Sequence, residues 1–109
     1  MKKRVYIIAA ALRLTSKKGY QIIWGRDHAS CFLKDPKWRK RGVEQGFLTS
    51  ERDFVNRTKA AAIAFEAGQV GPEVMDGVLV SEDIWLNGKW DWNEEKGRYY
   101  KIKETNNGA

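Results

Sequence analysis

The chain predicts an α+β fold, a small antiparallel sheet (an N-terminal hairpin plus further strands) packed with one main helix and one or two short helices. Three observations carry this. Two β-forming runs, residues 5–14 and 20–24, flank a polar turn that ends in Gly19, which is hairpin patterning. Ala60, Ile63, Ala64 and Ala67 recur at helical spacing between Asn56, a good N-cap, and Gly68, a good stop. At 109 residues the chain has the length of one domain with a single core.

Taken in order, the first run is apolar on both faces and so reads as a central strand covered by helices or a partner chain. After the hairpin, Asp27 can cap a short helix whose apolar face is Ala29, Phe32 and Leu33, stopped before Pro36. Lys34, Lys37, Arg39, Lys40 and Arg41 then surround Trp38 in a basic stretch. It is read as a solvated loop, with tracking of a nucleic-acid backbone as the alternative. Residues 45–50 read as a strand, 51–53 as a turn, and Phe54-Val55 as an extended pair before the main helix, residues 58–68. Residues 71–77 read as a loop. Ser81-Glu82-Asp83-Ile84-Trp85 has the acidic first turn of a short helix, although Asn87-Gly88 between Trp85 and Trp90 signals a competing hairpin. A polar turn at 93–97 precedes an extended arm at 98–103. The domain is expected to span residues 1–103, with a disordered tail at 104–109.

Composition narrows the partners. Twenty basic against fourteen acidic side chains give a net charge of +6, which favours anionic partners. Five Trp, four Tyr and four Phe are many for so short a chain and suit stacking or interface surfaces. The longest apolar run, residues 5–12, falls far short of the roughly 18 residues of a membrane span. The opening Met1-Lys2-Lys3-Arg4 has the charge of a secretory leader, but the apolar stretch behind it meets Arg13 without a cleavage site. A lone Cys31 forms no internal disulfide and fits a reducing compartment.

The stretch from Glu44 to Arg57 organises the candidate chemistry. Arg57 stands in the first turn of the main helix, where a cation opposes the helix dipole. Either Asp53 pairs with it, or a bound phosphate does. His28 and Cys31, three apart, have the spacing of a nucleophile pair or half a metal site, yet one His and one Cys cannot furnish the usual zinc set, and a structural buried thiol is the simpler reading. Glu51, Asp53, Glu82 and Asp83 could supply paired carboxylates for acid–base work, but they sit where turns and helix starts want acids, and capping is the simpler reading. No Walker loop, nucleophile elbow or His-Glu-x-x-His run is present. The expectation is a binding protein without catalytic residues, metal or cofactor.

Several of these residues recur as a pattern: Gly25-Arg26-x-His28 with Cys31-Phe32, Gln45-Gly46-Phe47-Leu48-Thr49-Ser50, Phe54-Val55-x-Arg57 running on to Ala67-Gly68-Gln69, and Ser81-Glu82-Asp83-Ile84-Trp85. Over roughly residues 4–86 this resembles the first family of phage Thoeris anti-defence proteins. The resemblance implies an oligomer built on dimers, acting in the cytoplasm of the infected bacterial host. Its task would be to sequester, without degrading it, the cyclic ADP-ribose signal made by TIR enzymes; some members also hold cyclic oligonucleotides at a separate site. It assigns a ligand pocket to Arg26, His28, Phe47, Thr49, Phe54, Asn56 and Arg57. Arg26 and Arg57 would hold phosphates, Phe47 or Phe54 would stack on the base, and His28 and Thr49 would hydrogen-bond oxygens. Arg52-Asp53 departs from the Gly-Arg pair that many relatives carry before the Phe-Val, and the acid would repel a phosphate or pair with Arg57. Three rivals come from other classes: a basic nucleic-acid-binding accessory protein using residues 34–41, an enzyme degrading the signal with His28 or Asp53 as general base, and an inhibitor of a host protein that uses exposed aromatics.

Overall fold

A computed structural model describes residues 4–35, 42–75, 77–86 and 88–103. Its centre is β1 (Ile7–Ser16), which pairs antiparallel with β2 (Gly19–Gly25) on one side and β3 (Val43–Thr49) on the other; β4 (Phe54–Asn56) adds to β3, giving the order β2-β1-β3-β4. The apolar run at its N-terminal half is therefore a central strand, as its two-faced hydrophobicity requires. Leu12 lies opposite Ile23 on β2 and Gln45 on β3, and a register shift between Ile7 and Ala9 marks a bulge.

Strand alternation divides the side chains. Ala10 and Phe47 pack with α2 (Arg57–Glu66), and Leu12 packs with Cys31 of α1 (His28–Lys34). Ala9, Ala11 and Leu48 form a separate cluster with Ile22 and Phe54. Gly46 is required where these layers meet, because a Cβ there would come within 2.2 Å of the Val55 carbonyl and 2.6 Å of the Phe54 ring.

The main helix starts and stops where its sequence dictates. The Asn56 side chain accepts from Lys59 N–H at 2.8 Å, and Gly68 beyond the helix has a φ of +75°. Its alanines 60, 61 and 64 are fully buried, so the helix lies close to the sheet. Gln69, just past it, is buried and locks onto β1: its amide accepts from Ile7 N–H and donates to Ile7 C=O, both at 2.8 Å.

Some expectations need correction. In α1 the buried residue is Cys31, whose thiol donates to the Ala10 carbonyl, while Leu33 is 73% exposed; a helix of seven residues offers the sheet little more than one inward position. Residues expected as loop contain a short helix, α3 (Pro72–Met75), opened by a proline in its first turn. The competition around Trp85 is resolved for a helix, α4 (Ser81–Trp85), because the Asp83 carboxylate accepts from Val80 N–H at 3.1 Å and caps it. Beyond it, β5 (Trp90–Asn93) pairs with β6 (Arg98–Lys101) in a second sheet that the sequence reading gave only in its later strand. Most of the basic stretch, residues 36–41, and the expected tail at 104–109 lie outside the described residues.

Candidate functional site

A charged cleft forms where three helix starts meet: α1 contributes His28 and Ala29, α2 Arg57, and α4 Ser81 and Glu82, around about 420 Å³. Chain connectivity explains the meeting. Asp27 caps α1 by accepting from Ser30 N–H at 2.7 Å, which fixes the loop carrying Arg26. The carbonyl of Arg57 accepts from Leu79 N–H at 3.0 Å, which draws the start of α4 against the start of α2.

Within the cleft, the Arg26 guanidinium lies 4.5 Å from the Trp85 ring centre, in cation–π contact. His28 donates from Nε2 to the Gly46 carbonyl at 2.7 Å, and its ring stands edge-on to Phe47 at 5.2 Å. That leaves Nδ1 as an acceptor. Burial pushes the His28 imidazole below its usual range, the bond to Gly46 pushes it back up, and the charge of Arg57 lowers it further. Arg57 donates through Nη2 to Gln45 at 2.5 Å, while its Nε is buried without a partner. Asp53 is thus not its partner, which answers the question posed by a cation in the first turn: a neutral amide hydrogen-bonds the guanidinium, and Asp27 and Glu82 line the same cleft without an ion pair to it among the described residues.

The seven expected pocket residues do not all converge. Arg26, His28 and Arg57 line this cleft. Thr49 and Phe54 line a second one of about 470 Å³, together with Arg13, Arg52 and Lys59, and no residue lines both. Thr49 is itself 2% exposed, and its hydroxyl is occupied in the turn, accepting from Glu51 and Asp53 N–H at 3.2 Å. Phe47 is completely buried and backs His28, so it offers no face to a base; Asn56 is occupied as the cap of α2. The ring available for stacking in the first cleft is Trp85, which the expected set lacks. Its signal was the Ser81 to Trp85 pattern already singled out, but nothing local says that a residue 59 positions after Arg26 will meet it.

Residues 6–85 match the model of the phage T4 y16D protein family, and they contain every residue of the first cleft. The chain belongs to that family. The match covers the four-stranded sheet through α4 and ends before the β5–β6 hairpin. No curated protein and no solved structure shows a significant match to the chain. Among the described residues no group of His, Cys, Asp and Glu is placed to hold a metal ion, and no helix is long and apolar enough to cross a membrane.

Proposed function

We propose that this phage protein binds a cyclic nucleotide immune signal of the cyclic ADP-ribose class in the Arg26–Arg57 cleft and withholds it intact. The observation that carries the reading is a guanidinium stacked on an indole, with a second guanidinium in the same cleft that is hydrogen-bonded to a neutral amide and, among the described residues, ion-paired to no carboxylate. A cyclic ADP-ribose isomer presents a pyrophosphate and a purine. Two arginines and the start of α2 suit the first, and the Trp85 plane suits the second. The His28 Nδ1 and the exposed Glu82 are acceptors of the kind that ribose hydroxyls seek. The resemblance to Thoeris anti-defence proteins supplies the ligand class.

Sequestration without cleavage is supported by how the reactive groups are engaged. The Cys31 thiol lies inside the core, with burial pushing it up to about 11. Asp27 is bound up in capping α1. Because the cleft is open to solvent, tight retention calls for closure, and a second copy docking beside Val80 and the exposed Leu86 would provide it.

The test is recovery of the ligand. The purified protein is incubated with cyclic ADP-ribose isomers and with cyclic di- and trinucleotides, freed of unbound material, heated, and the released compound chromatographed. Intact compound is expected; altered compound would convert the protein into an enzyme, and no captured compound would refute the reading.

A further inference from the structure

The β5–β6 hairpin lies beyond the segment matched to the family, yet one of its residues reaches beneath the cleft. Tyr99 is 1% exposed, so it touches no ligand. Its hydroxyl donates to the carbonyl oxygen of Arg26. Its ring leans on Trp85 with centroids 6.0 Å apart, and Trp92 meets it edge-on at 5.3 Å. Tyr99 therefore touches both members of the stack that stands 4.5 Å apart in the cleft.

The Asp27 cap fixes the backbone at Arg26, but local structure fixes neither side chain of the stack. Arg26 sits in the two-residue link between β2 and α1, with its side chain exposed. Trp85 closes a helix of five residues, too short to hold its own geometry. Burial pushes the phenol far above its usual range, so it stays a donor throughout the physiological range.

We propose that Tyr99 is a positioning residue for the cleft: by bonding the Arg26 carbonyl and buttressing the Trp85 ring, it presets the arginine–indole stack that receives the nucleotide. The ligand in this statement rests on the sequestration reading, whereas the preset stack does not. Preorganisation of this kind raises affinity by removing the cost of ordering the side chains at binding.

The experiment compares wild type with Tyr99→Phe, which keeps the ring and deletes the hydroxyl. The Arg26 Nε–Hε resonance, assigned by its loss in Arg26→Lys, is followed by NMR, and cyclic ADP-ribose is titrated into both proteins. In the wild type the resonance is expected upfield, under the Trp85 ring current. In Tyr99→Phe it should move to the random-coil position while the melting transition stays cooperative, and affinity should fall about tenfold. An unmoved resonance in the variant overturns the proposal. So does a random-coil resonance in the wild type, a result that needs no variant to fold. A wild type that binds no cyclic ADP-ribose defeats the choice of ligand, and the resonance still decides the role of Tyr99.

Discussion

Two arginines in this molecule stack on aromatic rings at nearly the same distance, Arg13 at 4.6 Å from Phe54 and Arg26 at 4.5 Å from Trp85. They differ in what else holds them. Arg13 is gripped by Glu44 through three hydrogen bonds of 2.9–3.1 Å, the only ion pair among the described residues. Arg26 has no carboxylate partner there, and its neighbour Arg57 leans on a neutral amide. The first arrangement is electrically closed and ties β1 to β3. The second leaves positive charge facing a cleft. The stack alone does not make an anion site; the unspent charge beside it does.

The comparison can be broken in four ways. The largest expected effect strikes both regions at once: Gln69→Leu strands the N–H and C=O of Ile7 in the core and should cost about 2–4 kcal/mol in denaturant unfolding, since each orphaned buried group costs about 1–3 kcal/mol. Loss of less than about 0.5 kcal/mol would mean that α2 is held to β1 by packing alone. Next, Arg57→Ala should weaken cyclic ADP-ribose binding by roughly 10- to 100-fold, the usual worth of a charged hydrogen bond, with little change in melting temperature. Equal, large losses in both would make Arg57 structural.

A smaller effect separates the regions by pH. The native His28 titrates below its ordinary value of 6.5, chiefly through burial. Above pH 6.5 both native and unfolded states hold it neutral. As pH falls through that value the unfolded chain takes up a proton that the native one refuses, so stability drops until the native group also titrates. Melting temperature measured across this range should fall less steeply in His28→Gln, whereas Glu44→Gln should leave the His28 part of the slope in place. An identical slope with and without His28 would place the imidazole in water.

The smallest effect concerns Arg52 on the wall of the second cleft. It holds a φ of +71°, the left-handed region that side chains avoid. Arg52→Gly should raise stability by about 0.5 kcal/mol, the relief of strain less the added freedom of the unfolded chain. Destabilisation would mean that the Arg52 side chain makes a contact worth more than the strain.

What was legible in the sequence was local. Asp27, Asn56 and Gly68 announce their caps because capping acts within three or four residues, and Gly19 closes the hairpin for the same reason. The α+β class followed from such signals, with β1 central because it is apolar on both faces. What was illegible depends on facing. Alternation along β3 puts Phe47 and Leu48 in different clusters, but only the tertiary arrangement says that Phe47 is sealed behind His28. Thr49 reads as a ligand donor until the turn that follows claims its oxygen. Trp85 and Tyr99 reach Arg26 across long stretches of chain, the latter across 73 positions, and no periodicity records such a meeting. Arg57 survives as a cleft residue because a cation in the first turn of a helix already signals an unmet local cost, whereas Arg26 was named through the resemblance.

The most direct test of unspent charge as the basis of binding is a calorimetric titration of cyclic ADP-ribose into wild type, Arg26→Ala and Arg13→Ala side by side. Tight binding to wild type, at least tenfold weaker binding to Arg26→Ala and binding within about twofold of wild type for Arg13→Ala are the predicted results. Equal weakening by both substitutions, or loss confined to Arg13→Ala, would contradict the account and move the site to the other stack.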